Sequence, residues 1–219
     1  MIAAVFFDLD GTLVDTARDL GNAINRVLTE HGKAPLPQEI IRPYVSGGSP
    51  ALIKLGFDIT SEHNDFEQLK QSFLDYYAQA LDSHSHLFPG IQNCLTELEK
   101  HNIPWGIVTN KPDFLTQPLL AKLELKTRAS VIISGDTFQQ KKPDPYPLIQ
   151  ACLRAEVPPE KSIYVGDDER DIIAANAANM ISMSVGWGYP GDKDPQQWRS
   201  DYYVAKSEEL ISMLKTFIE

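Results

Sequence analysis

The chain has 219 residues, 42% apolar and 23% charged, with 20 basic against 30 acidic side chains and a formal charge of −10. That length allows one domain or a domain with an insert, and it is long enough to bury a real core; the composition excludes wholesale disorder and collagen-like repetition. No Lys/Arg block offsets the acidic balance, which argues against a nucleic-acid partner needing clustered cations.

From the amino end, residues 3–7 form an apolar, β-branched and aromatic run that predicts the first strand. The run carries no basic flank and meets Asp8, so a secretory signal is not expected. No segment approaches the roughly 18 apolar residues of a membrane span, and a cytoplasmic protein without a membrane partner is the expectation. Residues 16–86 then show only helical patterns, over 16–31, 37–44, 49–55 and 64–81, with loops at Gly47-Gly48 and Phe88-Pro89-Gly90. Beyond them strand and helix alternate: helix 90–101, strand 105–109, helix 113–125, strand 130–134, helix 144–156, strand 162–165, helix 169–179 and strand 182–185. Continuous apolar strands suit a sheet buried on both faces. The alternation predicts an α/β fold, a doubly wound (Rossmann-like) parallel sheet. Residues 1–15 and 87–219 would form the core and residues 16–86 a small α-helical cap. Cys94 and Cys152 each sit in an apolar helical pattern and are expected as buried, reduced thiols.

Chemistry gathers at the carboxyl ends of the predicted strands, where open α/β sheets bind ligands. Asp8-Leu9-Asp10-Gly11-Thr12-Leu13 follows the first strand. Two carboxylates one residue apart repel, and a hard divalent cation such as Mg2+, which favours carboxylates plus substrate oxygens, would relieve this; an acidic β-turn is the plainer alternative. Thr109-Asn110-Lys111 closes another strand, its hydroxyl and amide suited to phosphate oxygens. Lys142 precedes Pro143 in a third loop and offers a compact point charge. Asp167-Asp168-Glu169-Arg170-Asp171 closes a fourth strand; helix-dipole stabilisation alone accounts for Asp168 and Glu169.

Those four strings, in that order, resemble the haloacid dehalogenase superfamily of phosphatases over essentially the whole chain. The chain is most similar to the phosphoglycolate phosphatase-like branch, and within it to N-acetylmuramic acid 6-phosphate phosphatases of peptidoglycan recycling. The resemblance implies a Mg2+-dependent phosphomonoesterase for a small phosphorylated carboxylic acid, acting through an aspartyl-phosphate. Asp8 would be the nucleophile and Asp10 the general acid and base. Asp8, Asp167 and the Asp10 backbone carbonyl would hold Mg2+, while Thr109, Asn110 and Lys142 would bind phosphate. Asp171 would orient Lys142 or a metal-bound water rather than bind the metal directly. Asp168 stands where many relatives carry Ser or Thr, and a direct role for it is doubtful. The substrate partner would be a small-molecule phosphate ester, and the chain a monomer or homodimer. A sugar-phosphate phosphomutase using the same two aspartates, or a broad-specificity phosphatase, is the alternative; Asp10 argues against a halide-releasing hydrolase.

In the cap, Arg42, Ser46, Gly47 and Gly48 are the candidates for substrate choice. Adjacent glycines let backbone amides approach an anion, and Arg42 suits a carboxylate. His31, His63, His84, His86 and His101 are expected as solvated side chains. Phe7 and Trp105 are expected in the core, while Trp187, Tyr189 and Trp198 follow the last strand near the site edge, to pack the domain or border a sugar.

Overall fold

The computed structural model describes residues 1–81, 83–191 and 193–218; Asp82, Asp192 and Glu219 lie outside the described residues. The chain opens with β1 (Ala4–Phe7) and the short β2 (Val14–Asp15). It then runs through α1 (Ala17–Glu30), α2 (Gln38–Ile41), a 3-10 turn (Arg42–Gly47), α3 (Gly48–Phe57) and α4 (Phe66–Gln79), returning through β3 (His86–Leu87). The remainder alternates: α5 (Ile91–Lys100), β4 (Trp105–Val108), α6 (Asp113–Lys122), β5 (Val131–Ile133), α7 (Tyr146–Arg154), β6 (Ser162–Gly166), α8 (Glu169–Ala177) and β7 (Ile181–Val185). It finishes with β8 (Tyr202–Val204) and α9 (Leu210–Ile218).

Six strands form one parallel sheet in the order β5-β4-β1-β6-β7-β8. Every residue of β1, β4 and β6 is buried, because helices cover both faces; the run of apolar residues in each follows from that. β1 lies in the middle, with Phe7 paired to Ile107 on one side and to Val165 on the other. The connections diverge there, and the crevice beyond its carboxyl end is where such sheets hold ligands.

The helical insert closes on itself through an apolar face. Ile24, Val27 and Leu28 of α1 recur at helical spacing and are buried, as are Phe73 and Tyr77 of α4. Each such side chain gains about 1.5–3 kcal/mol from leaving water. These residues belong to the same apolar cluster as Val5, Phe7 and Trp105 of the sheet.

Several elements depart from the expectation. The pattern over residues 16–86 predicts no strand, yet His86 pairs with Asp15, and Val14 with Leu87, in an antiparallel ladder joining the insert's entry to its exit. Two-residue strands carry no periodicity by which to recognise them. The edge strand β8 and helix α9 also lie beyond the last predicted strand. His84 is not a purely solvated side chain: its Nδ1 lies 2.9 Å from Oδ1 of the buried Asp19. Asp19 Oδ2 accepts from the His84 and Ser85 amides and the Ser85 hydroxyl. Cys94 and Cys152 are free and buried, and burial pushes their thiols up to about 12 and about 11. Among the described residues no helix is long and apolar enough to cross a membrane.

Candidate active site

Three neighbouring strands end at one place. Asp8 leaves β1 with its amide donating to Val165 O at 2.9 Å, Thr109 leaves β4 with its amide on Ile133 O at 2.9 Å, and Asp167 follows β6. Backbone ladders thus set all three side chains before any side-chain contact forms. The loop carrying Lys142 is drawn in by Asn110, whose Nδ2 donates to Lys142 O at 2.9 Å and whose Oδ1 accepts from Lys142 N at 3.1 Å. The Asn110 amide is therefore a bracket for the lysine backbone. Thr109 Oγ1 accepts from Lys111 N at 3.2 Å, which leaves its own hydrogen to donate.

The Lys142 ammonium sits 2.9 Å from Asp8 Oδ1 and 2.7 Å from Asp171 Oδ1, and donates to the Tyr164 hydroxyl at 2.8 Å. Burial alone would depress this ammonium, but Asp171 and Asp8 hold it above its ordinary value. Asp171 belongs to the first turn of α8, where its Oδ2 accepts from the Asp168 amide. Asp168 answers as the helix cap by accepting from Arg170 N, a reciprocal capping box. Burial would raise the Asp168 carboxyl, yet the Arg170 guanidinium, bound to both its oxygens, keeps it below the usual range.

Asp167 is fully buried. Its Oδ1 accepts from Thr12 Oγ1 at 2.9 Å, and its Oδ2 from Ser46 Oγ at 2.8 Å and the Tyr189 amide at 2.9 Å. Gly11, at φ +83°, makes this approach possible: a Cβ there would stand 2.1 Å from Asp167 Oδ2. Burial, then the neighbouring Asp8 and Asp171, pushes Asp167 up to about 8; burial pushes Asp171 up to about 7 against the pull of Lys142.

Oxygens of Asp8, Asp167 and Asp171 lie within 4.8 Å of one another. One ammonium does not neutralise three carboxylates, and Asp8 Oδ1, although close to Lys142, is buried without a hydrogen bond. Three crowded carboxylates sharing one ammonium offer the hard oxygens that a divalent cation such as Mg2+ favours. The Asp10 side chain stands apart from this cluster. Its Oδ1 accepts from Thr16 Oγ1 at 2.6 Å, and both its oxygens accept from Lys111 Nζ, at 2.9 and 3.2 Å.

Above the strand ends, sheet and insert enclose a cavity of about 330 Å³. Its walls include Asp8, Asp10, Thr109, Asn110, Lys142, Asp168 and Asp171 from the core and Ser46, Gly47 and Gly48 from the insert. Leu20, Val45, Phe73, Leu74 and Leu115 supply an apolar side. Arg42 is not among these walls. Its guanidinium grips Asp15 with one 3.0 Å contact to each carboxylate oxygen and lies 4.9 Å over the Tyr189 ring. The motif around Thr109 assigns Lys111 no task, and the helical pattern of residues 64–81 does not single out Tyr77, yet both line the cavity. Thr12 and Tyr189 likewise acquire their tasks, as donors to Asp167, only from the fold. The cue for Thr12 was its place inside the first acidic string.

The residues 5–185 match the family model described as haloacid dehalogenase-like hydrolase. A phosphoglycolate phosphatase of Xanthomonas campestris pv. campestris is 43% identical over 211 residues, covering 94% of each chain. An N-acetylmuramic acid 6-phosphate phosphatase of Pseudomonas putida is 38% identical, over 97% of this chain and 96% of its own. Among solved structures, that of a predicted phosphoglycolate phosphatase from Haemophilus somnus 129pt superimposes with a TM-score of 0.87 at 25% identity, covering 97% of this chain and 98% of the other.

Proposed function

Because this chain belongs to the haloacid dehalogenase-like hydrolases, as a phosphatase similar to the phosphoglycolate and N-acetylmuramic acid 6-phosphate enzymes, we propose that it hydrolyses the phosphomonoester of a small phosphorylated carboxylic acid through an aspartyl-phosphate on Asp8. The observation that carries this is the Asp8 carboxylate, 2.9 Å from Lys142 and crowded by Asp167 and Asp171, in the wall of the cavity between sheet and insert. Asp8 attacks phosphorus as the ester oxygen departs, which splits one hard displacement into two. Asp10 gives its proton to the leaving alkoxide and then takes one from the water that cleaves the aspartyl-phosphate. Lys142, the Thr109 hydroxyl and the backbone of the loop held by Asn110 receive the non-transferring oxygens, where transition-state charge spreads. Asp171 holds Lys142 in place from the far side. Asp168 works through the capping box and Arg170.

Asp8, Asp167 and the Asp10 backbone carbonyl would hold Mg2+, with Asp171 at the margin of the set. When bound, the ion supplies the positive charge that offsets repulsion between Asp8 and an anionic phosphate. The insert, residues 16–86, acts as a cap that excludes water during transfer, with Ser46, Gly47 and Gly48 presented to the substrate.

Of the two acids suggested by the relatives, the cavity favours the larger. A volume of about 330 Å³ with an apolar side of leucine, valine and phenylalanine falls in the range of drug-sized ligand sites. A two-carbon acid leaves that side unused, whereas an N-acetylated sugar acid 6-phosphate covers it. A panel of phosphate esters, ranked by kcat/KM with and without Mg2+, tests both points. We expect Mg2+-dependent phosphate release, with the sugar acid preferred over 2-phosphoglycolate by at least tenfold. Unchanged total ester phosphate would instead mark a phosphomutase, and near-equal values across the panel a generalist.

A further inference from the structure

The Asp10 carboxylate has a partner that neither the nucleophile nor the phosphate site needs. Lys111 Nζ donates to Asp10 Oδ1 at 2.9 Å and Oδ2 at 3.2 Å, and to the Tyr77 hydroxyl at 2.7 Å. Its side chain is only 4% exposed. Three contacts use all three ammonium hydrogens, and the Tyr77 ring lies 4.3 Å from the nitrogen. The backbone of Lys111 is equally constrained: its amide donates to Thr109 Oγ1, and its carbonyl accepts from Gly135 N at 2.8 Å and Thr116 Oγ1 at 3.2 Å. Lys111 leaves β4, Asp10 leaves β1, and Tyr77 comes from α4 of the insert, so a buried cation joins two strand ends to the helical layer.

Burying an ammonium so fully costs desolvation that surface lysines avoid. A carboxylate bound through both oxygens is held in one rotamer.

We infer that Lys111 is the positioning residue for the acid/base carboxylate Asp10, with the Tyr77 hydroxyl aiming the ammonium from the insert. The inference rests on the role proposed for Asp10 above. In the first half-reaction the Asp8 oxygen–phosphorus bond forms, the ester oxygen–phosphorus bond breaks, and the Asp10 proton passes to the departing alkoxide. Lys111 pairs with the carboxylate left behind. In the second, that carboxylate takes a proton from water as the water oxygen bonds to phosphorus and the Asp8 bond breaks. Lys111 keeps Asp10 aligned through both, and because Tyr77 belongs to the insert, alignment depends on how the insert is seated.

The test exploits leaving groups. A sugar phosphate departs as an alkoxide that needs a proton, whereas nitrophenyl phosphate departs as a stable phenolate. With Mg2+ present, kcat/KM reports only the steps through departure of the alcohol, so later hydrolysis does not blur the comparison. Lys111→Met is expected to lower kcat/KM for the alkyl ester about tenfold further than for the aryl ester, a fraction of what loss of an acid/base group costs. Lys111→Arg should recover part of that difference. Tyr77→Phe should show the same selectivity to a smaller degree, and it keeps the test alive should Lys111→Met fold poorly. Equal losses on both esters in Lys111→Met and Tyr77→Phe would overturn the inference as a general structural defect. A higher KM for the alkyl ester at unchanged kcat would overturn it as a substrate contact. Asp10→Asn, run alongside, separates the premise from the inference: without alkyl-over-aryl selectivity in that variant, the acid role of Asp10 itself fails.

Discussion

Ser46 Oγ donates to Asp167 Oδ2 at 2.8 Å, fastening the insert to the most deeply buried acid of the site. Arg170 reinforces the joint by donating to the Ser46 carbonyl at 2.6 Å. Ser46→Ala should cost about 1.5–3 kcal/mol in chelated protein, the worth of a hydrogen bond to a charged group. With Mg2+ the cost should shrink, since the cation then answers the same carboxylate. Urea unfolding with and without the ion measures both, and identical losses would refute the link.

Asp8→Asn should abolish phosphate release while leaving the fold intact, because an amide oxygen does not form the covalent intermediate. Its melting temperature without Mg2+ should not fall, as one of three crowded negative charges is removed. Steady-state rates near those of the wild type would end the nucleophile assignment.

Asp10→Asn should lose about 10²- to 10⁴-fold in turnover on an alkyl phosphate. The chain should stay folded, since Thr16 and Lys111 still find an amide oxygen as acceptor. A rate within about twofold of wild type would remove Asp10 from the mechanism.

The pH dependence of stability has a definite sign. Asp167 and Asp171, pushed up to about 8 and about 7, bind protons in the folded state that the unfolded chain has released above its ordinary value near 3.8. The folded state therefore loses ground as pH rises from about 4 to about 8, by an amount on the order of a few kcal/mol. Asp15 and Asp168, held below the ordinary carboxylate value, contribute stability already complete at the lower end of that window. In chelator the urea midpoint should fall from pH 5 to pH 8, and saturating Mg2+ should restore it at pH 8. A midpoint that is flat or rising in chelator would contradict the crowding of these acids.

Gly11→Ala should damage the site more than an ordinary loop substitution. A Cβ at Gly11 would meet Asp167 Oδ2 at 2.1 Å, and φ +83° is strained for any residue with one. The expected result is a loss of about 1 kcal/mol or more together with weaker Mg2+ binding by calorimetry. Unaltered binding would show that Asp167 can move aside.

The parallel sheet was legible because burial on both faces leaves apolar runs at 3–7, 105–109 and 162–165. The acids were legible because each ends such a run. The partnerships among polar side chains were not. Tyr77 lies in an apolar stripe of α4 and reads as packing, yet its hydroxyl meets Lys111 from across the cavity. Arg42 suited a substrate carboxylate on charge alone, but Asp15 lies nearer. Asn110 suited phosphate by its amide, but that amide brackets Lys142. Pairings across 27 to 34 residues depend on tertiary placement, which no local spacing encodes.

Tyr189 carries a consequence for synthesis. Its amide holds Asp167, while its hydroxyl donates to Asp15 and accepts from the Thr16 and Ala17 amides at the start of α1. A nascent chain still missing this phenol has made both aspartates of the first string yet lacks a peg for the acid after β6 and for the insert's root. On the ribosome, competence therefore arrives late, only once the stretch past β7 has emerged and its ring has settled against Asp15 and the start of α1.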